Sequence, residues 1–244
     1  MHIGVISLMP DLFNALHYGV TGRALQRKIV SFKHWNPRDW ANNAYRKIDD
    51  KPYGGGPGMV MMYQPIHAAL CHARANMPEN CKTIYVSPQG KTITQADLVQ
   101  IANSQQPLLF LAGRYEGIDE RIITNDIDEE WSLGDFVLSG GELAILVFMD
   151  AIIRLLKGSL NDEQSALNDS FMHGLLDHPQ YTRPYSINGL DVPQVLLSGN
   201  HHDIAQFRRQ QALGKTWIKR PDLLRKYTLT KNDKKLLDEF KEHI

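Results

Sequence analysis

Three glycine-rich segments hold many of the residues whose types and spacing could do chemistry: SPQG (Ser87–Gly90), GRYEGIDE (Gly113–Glu120) and LGDFVLSGGE (Leu133–Glu142). The third has three glycines, one aspartate, one glutamate and no basic residue. A loop that cradles phosphate presents backbone N–H groups together with a lysine; this one presents acid. A bound group that is cationic, or neutral with many hydrogen-bonding edges, suits such a loop. S-adenosylmethionine, a sulfonium joined to an adenosine, is one ligand of that description, and the chemistry permits it without forcing it.

The nucleotide motifs that glycines often signal do not fit. YVSPQGKT (Tyr85–Thr92) ends in Gly-Lys-Thr, but the first glycine of a G-x-x-x-x-G-K-[ST] loop falls on Tyr85, and Pro88 interrupts the turn. GGGPGM (Gly54–Met59) fails the G-x-G-x-x-G spacing in every register, with Met59 and Met61 in the third-glycine slots. On spacing alone the plain reading of these glycines is structural turns. His67 and Cys71 stand at i, i+4 on a predicted helix and could share a metal. No second pair with ligand spacing accompanies them, so ordinary packing and no metal site are expected.

The elements that must position these segments follow from the apolar pattern. His2–Leu8, Ile29–Trp35, Thr83–Ser87 and Leu108–Ala112 are short apolar runs that read as strands, separated by helical patterns. One helix is expected to start near Thr94, with Asp97 as its capping partner. Strands alternating with helices predict an α/β fold with a mostly parallel sheet, and ligands of such sheets bind outside the carboxyl ends of the strands. The three segments follow such ends. Gly141–Lys157 is nearly all apolar and reads as a buried helix. Gly158–Ser170 is polar with little periodicity, a linker expected to be mobile. Beyond it, Val192–Gly199, His201–Ile218, Arg220–Tyr227 and Thr230–His243 read as helices of a small all-helical domain. The predicted division is 1–158, a linker over 159–170, and 171–244.

The 244 residues carry 27 basic and 27 acidic side chains, so the overall field selects no partner. The distribution is uneven: residues 171–244 hold 12 basic and 8 acidic side chains, the rest 15 and 19. A basic C-terminal part points weakly to a polyanion. Two cysteines are too few for a disulfide framework and suit a reducing compartment. The N-terminus MHIGVISLMPDLF reads as a first strand without a signal peptide. The longest apolar run, from Leu143, is broken by Asp150 and Arg154 before the roughly 20 residues of a membrane span. A soluble cytoplasmic protein with no membrane partner is expected.

Longer motifs narrow the reading: DDKPYGGGPGM (Asp49–Met59), YVSPQG (Tyr85–Gly90), GRYEGIDER (Gly113–Arg121), EEWSLGDFVLSGGEL (Glu129–Leu143), NDSF (Asn168–Phe171), LLDHPQYTRP (Leu175–Pro184), VLLSGNH (Val195–His201) and KRPDLL (Lys219–Leu224). In this order, and nearly end to end, the chain resembles the bacterial tRNA (guanine-N1)-methyltransferases of the SPOUT class. The resemblance implies a trefoil knot closing the α/β domain, where pattern alone would propose an open sheet. It implies S-adenosylmethionine as methyl donor, held by Tyr85, Ser87, Pro88, Gly113, Glu116, Leu133, Gly134, Asp135, Phe136, Val137, Leu138, Gly140 and Gly141. Leu133 stands where the family usually has Ile, and Ala144 and Lys157 replace common prolines.

The implied reaction methylates N1 of the guanosine at tRNA position 37. N1 is a poor nucleophile until its proton leaves, so the chemistry needs a base near N1 and a positive donor near O6. Asp169 matches the family's base and Arg154 its O6 partner. Without the resemblance, Asp169 is a solvated linker residue and Arg154 the partner of Asp150 one helical turn away. A Mg²⁺ requirement is not readable, since no all-protein site is evident. The class builds its sites between the two subunits of a homodimer, so the linker is expected to carry Asp169 across to a partner. Contact with the tRNA anticodon stem-loop is assigned to Tyr181, Arg183, Arg208, Lys215 and Lys219, with Arg209, Arg220 and Trp217 nearby, and to Asp50 and Gly55 of the Asp49–Met59 loop around the flipped guanine. The rival readings are a non-catalytic RNA-binding module and a SPOUT enzyme acting on another RNA position.

Overall fold

The computed structural model describes residues 1–162 and 164–243 and resolves into two compact units, Met1–Glu163 and Gln164–Ile244. In the first, the chain runs β1 (His2–Ile6), a 3₁₀ turn (Pro10–His17), α1 (Gly19–Gln26), β2 (Ser31–Trp35), a 3₁₀ turn (Pro37–Trp40), β3 (Asp49–Asp50), β4 (Val60–Met61), α2 (Tyr63–Ala75), β5 (Lys82–Thr92), α3 (Gln95–Ser104), β6 (Leu108–Ala112), α4 (Glu120–Asp126), β7 (Glu129–Ser132) and α5 (Glu142–Ile153). Five strands form one sheet in the order β2-β1-β6-β5-β7, and every pairing is parallel.

The apolar runs dictate this sheet. All five residues of β6 are buried, as a central parallel strand covered on both faces requires. Its alternation divides the core. Leu108, Phe110 and Ala112 join Ile3, Val5, Ile84 and Val86 under α1, α3 and α5. Leu109 and Leu111 join Ile6 and Tyr85 under α2 and α4. Helix α3 starts as expected, with Thr94 and Asp97 forming a reciprocal capping box. Helix α5 is shorter than predicted, ending at Ile153 with Arg154 as its C-cap, and Lys157 lies in an exposed turn beyond it. Gly141 caps its start and Ala144 is buried in the first turn.

Strand β5 differs more. SPQG was expected to be a turn after the strand, yet β5 continues to Thr92. Val86 and Lys91 both pair with Trp131, so Ser87–Gly90 bulges out of one continuous ladder. Ser87 Oγ accepts the Gln89 N–H at 3.1 Å inside the bulge. A Cβ on Gly90 would lie 2.4 Å from the Glu130 carbonyl carbon and 2.5 Å from the Trp131 nitrogen. Only glycine lets the two backbones approach this closely.

The segment expected as a linker begins inside the first unit: Ser159 is buried, and the Gly158 carbonyl accepts a guanidinium N–H of Arg27 at 3.0 Å. Glu163, within that segment, lies outside the described residues. The second unit contains α6 (Gln164–Leu167), a two-stranded ladder of β8 (Ser186–Ile187) and β9 (Leu190–Asp191), a 3₁₀ turn (Gln194–Leu197), α7 (His201–Lys219), α8 (Pro221–Lys226) and α9 (Lys231–Glu242). The β8–β9 hairpin breaks the otherwise helical pattern, turning on Asn188 and Gly189, both at positive φ. Leu175, Leu213, Leu236 and Leu237 form the core. Gly214 does not break α7; a Cβ there would meet the Phe240 ring of α9 at 2.3 Å, so glycine sets the helix–helix approach. Thr230 and Asp233 form a capping box on α9. Among the described residues no helix is long and apolar enough to cross a membrane.

Candidate active site

The three glycine-rich segments meet at the β5 bulge and beyond the carboxyl ends of β6 and β7, where they line a cleft of about 400 Å³. Its wall contains Tyr85, Ser87, Pro88, Gly113, Glu116, Leu133, Gly134, Phe136, Val137, Leu138, Gly140 and Gly141. Twelve of the thirteen residues expected around the methyl donor are therefore brought together. The thirteenth, Asp135, is exposed and does not line the cleft. Its neighbours Gly134 and Phe136 do, because the Phe136 N–H donates to the Gly134 carbonyl at 2.9 Å in a tight turn at Gly134 φ +148°.

Backbone builds most of this wall. The Gly141 N–H donates to the Gly113 carbonyl at 2.9 Å and Arg114 pairs with Gly140 in an antiparallel bridge, which ties the second segment to the third. A Cβ on Gly141 would approach Ala112 Cα to 3.0 Å, and one on Gly113 would approach the Tyr85 hydroxyl to 2.7 Å. Ser132 Oγ accepts the Gly134 N–H at 3.1 Å and fixes the entry to the third segment. Burial, with Glu130 and Glu120 adding, pushes the Tyr85 hydroxyl up to about 12. Phe136, Val137 and Leu138 are exposed apolar side chains at the rim.

The charge of the loop is not what its composition suggests. Glu142 is fully buried, and both its oxygens accept from Arg114 Nε, at 3.0 and 3.1 Å. Arg114 also reaches the Ser139 carbonyl at 3.5 Å. The loop's glutamate is therefore neutralised internally and is not offered to a ligand. Arg114 is a site residue that composition missed; its signal was a lone cation inside the second segment, 28 residues from its partner. Glu116 keeps an exposed carboxylate at the rim, packed over Gly58, whose Cβ would lie 2.3 Å from Glu116 Oε1. The Glu116 N–H donates to the Met59 carbonyl at 3.0 Å, which docks the Asp49–Met59 loop beside the cleft. In that loop Asp50 accepts Lys51 N–H at 2.9 Å and Lys47 Nζ at 3.1 Å, which hold its carboxyl below the usual range. Gly55, at φ +77°, has open space around it. Lys91, the lysine of the apparent phosphate motif, pairs with Asp97 at 2.5 Å from within β5. That geometry removes the P-loop reading.

The second unit has a cleft of its own, about 480 Å³, lined by Tyr181, Arg183 and Arg208 together with His178, Gln180 and Tyr185 over a floor that includes Val192, Leu196 and Ile204. Lys215 is half-buried and Lys219 exposed, and neither lines it. Arg209 is committed elsewhere, to Asp233 at 2.8 Å and the Tyr227 hydroxyl at 2.8 Å. Arg220 pairs with Asp222 at 2.7 Å, and Trp217 lies under Lys241 Nζ at 5.7 Å. Arg154 caps α5 in the first unit, its N–H donating to the Asp150 carbonyl at 3.0 Å. Asp169 is half-buried in a turn of the second unit and accepts the Met172 N–H at its carbonyl.

Residues 1–226 match the family model described as tRNA (Guanine-1)-methyltransferase TrmD. The chain belongs to the TrmD family. A tRNA (guanine-N(1)-)-methyltransferase of Legionella pneumophila subsp. pneumophila strain Philadelphia 1 is 66% identical over 244 residues, covering 100% of this chain and 98% of that protein. One of Salmonella newport strain SL254 is 51% identical over 245 residues, covering 100% and 96%. The TrmD family model spans both clefts, so the glycine-built wall and the side-chain-built one belong to one familial unit of sequence.

Proposed function

We propose that this TrmD-family chain transfers a methyl group from S-adenosylmethionine to N1 of the guanosine at position 37 of tRNA, in the cytoplasm and as a homodimer. The observation that carries this reading is the main-chain cleft at the β5 bulge and the ends of β6 and β7, lined by twelve of the thirteen residues assigned to the methyl donor. The fit is local: Gly113 and Gly141 let the backbone pack closely against Tyr85 and Ala112, and the rim offers apolar Phe136, Val137 and Leu138. S-adenosylmethionine, when bound, supplies an electrophilic methyl on a sulfonium. Tyr85, Gly113, Gly134, Gly140 and Gly141 would hold it through main chain and ring contact. Asp169 accepts the proton from guanine N1, and Arg154 donates to O6 as negative charge gathers there. The Asp49–Met59 loop, with Asp50 and Gly55, shapes the mouth for a base taken out of its stack.

Subunit pairing rests on α5, which exposes Leu143, Val147 and Asp150 at helical spacing on a mostly buried helix. In the dimer, the 159–170 segment delivers Asp169 to the cleft of the partner subunit. RNA is gripped by Tyr181, Arg183 and Arg208, whose aromatic and guanidinium groups stack on bases and pair with phosphates. The deciding experiment is mass mapping of methylated nucleosides after incubation of unmodified tRNA with the protein and S-adenosylmethionine, run on wild type, on Asp169→Asn, and on mixed dimers of Asp169→Ala with Gly134→Trp subunits. We expect 1-methylguanosine at position 37 with wild type, and a loss of about 10²–10⁴-fold with Asp169→Asn at unchanged donor affinity. The mixed dimer should recover one working site in two. Binding of tRNA with no methylated nucleoside would return the chain to the RNA-binding-module reading, and modification elsewhere would return it to the other SPOUT specificity.

A further inference from the structure

Helix α2 carries a side-chain relay that methyl transfer does not use. Tyr63, His67 and Cys71 follow at four-residue intervals and share one face. His67 Nδ1 lies 2.9 Å from Asp126 Oδ2 at the end of α4, and His67 Nε2 lies 3.5 Å from Cys71 Sγ. Asp126 is buried; its other oxygen takes Arg74 Nη1 at 3.2 Å, and its carbonyl takes Arg74 Nη2. An ionised carboxylate paired with a guanidinium can only accept, so the imidazole proton sits on Nδ1 and Nε2 turns its lone pair to the thiol. The ring is also clamped on its face. Tyr63 stacks on it at 5.1 Å and 16°, with Arg121 lying 5.6 Å above the Tyr63 ring. Asp126 and Cys71 lie at opposite nitrogens of one imidazole and do not converge on a common point. Among the described residues, no group of three or more His, Cys, Asp or Glu is arranged to hold a metal. The shared-metal idea for His67 and Cys71 gives way to a thiol, a base and an orienting acid, with the sulfur exposed to solvent.

We propose that Cys71 is a thiol-modification site, where His67, oriented by Asp126, acts as general base for exchange with low-molecular-weight disulfides. As the Cys71 sulfur attacks one sulfur of the disulfide, its proton passes to His67 Nε2. The disulfide's S–S bond breaks, a mixed disulfide forms on Cys71, and the leaving thiolate takes the proton from Nε2–H and departs as a thiol. One thiol is oxidised and one half of the disulfide is reduced, so no further oxidant is needed. Cys81 is the internal control: it is half-buried, and burial pushes its thiol up to about 11.

The test treats the full-length protein with oxidised glutathione and follows adducts by peptide mapping over time. Cys71 should be modified at least roughly tenfold faster than Cys81. His67→Gln should slow Cys71 about tenfold, within the reach of general-base assistance, while leaving the circular dichroism spectrum unchanged. The His67 side chain is 41% exposed, so this variant is expected to fold. Asp126→Asn should slow Cys71 as well, and if it unfolds because Arg74 is stranded, His67→Gln decides alone. In urea the two cysteines should react alike in every variant, which separates intrinsic thiol reactivity from the relay. Equal rates at Cys71 in wild type and His67→Gln would overturn the proposal.

Discussion

The two clefts of this chain are built from different material. In the first unit, glycine backbones make the wall, Gly141 against Ala112 and Gly113 against the Tyr85 ring, while Gly90, outside the lining, packs the β5 bulge against the Glu130–Trp131 peptide. In the second, side chains make it, with Tyr181, Arg183, Tyr185 and Arg208 standing over an aliphatic floor. A main-chain wall presents N–H and C=O groups at positions fixed here by the β5–β7 ladder, the Arg114–Gly140 bridge and the Gly141–Gly113 hydrogen bond. A side-chain wall adapts by rotamer. The first arrangement suits one small ligand of constant shape, and the second suits an RNA surface whose bases and phosphates vary in position.

The comparison breaks if the first cleft turns out to tolerate added atoms. Gly90→Ala should have the largest effect, because its Cβ meets two backbones at 2.4 and 2.5 Å and neither is a flexible side chain. We expect a loss of about 3 kcal/mol in urea unfolding of the first unit, at the upper end of overpacking costs, together with loss of S-adenosylmethionine binding by calorimetry. Wild-type stability in that variant would mean the β5 bulge shifts freely. Next in size is Glu142→Gln, which leaves the Arg114 guanidinium without its charge partner. Breaking a fully buried pair costs roughly 3–5 kcal/mol. Arg114 keeps a fifth of its side-chain surface in water, so about 2 kcal/mol is expected here. Weaker donor affinity should accompany it through the loosened Ser139–Gly141 turn. A variant unchanged in both would show that the loop holds its shape without the ion pair.

Local signals were legible in the sequence where the responsible atoms are neighbours along the chain. Thr94 and Asp97 announced the α3 cap three residues apart, and the apolar run from Leu143 announced α5. The Asn188–Gly189 hairpin was equally local, since Asn-Gly is the preferred type I′ pair, but its flanking strands are two residues each, too short to show an alternating pattern. What sequence could not convey is pairing at a distance. The glutamate of Leu133–Glu142 is paired with Arg114 28 residues earlier, and composition counted it as free. The SPQG segment looked like a terminal turn because its ladder resumes only against Trp131, more than 40 residues on. The i, i+4 spacing of His67 and Cys71 showed a shared helix face, but not Asp126, 59 residues away, which hydrogen-bonds the ring.

The smallest effect sharpens the second half of the comparison. If the side-chain cleft is the main grip on RNA, charges inside it should matter more than charges beside it. Arg183→Ala with Arg208→Ala removes two guanidinium groups from the cleft wall and should flatten the log–log salt dependence of tRNA binding by up to about 2, since each phosphate contact contributes roughly 0.7–0.9. Lys215→Ala with Lys219→Ala removes two charges outside the cleft, one half-buried and one exposed. Those charges act mainly through a field that salt screens over about 8 Å at physiological strength. The slope should therefore flatten by less than about 1, with a few-fold loss of affinity at low salt that shrinks as salt rises. Donor affinity should stay at the wild-type value in both double variants, because all four residues belong to the second unit. Filter binding of tRNA across a salt series, with calorimetry for S-adenosylmethionine, measures all of this. Equal flattening by the lysine pair would place the RNA track along the α7 face, and no flattening by the arginine pair would remove the side-chain cleft from the RNA surface.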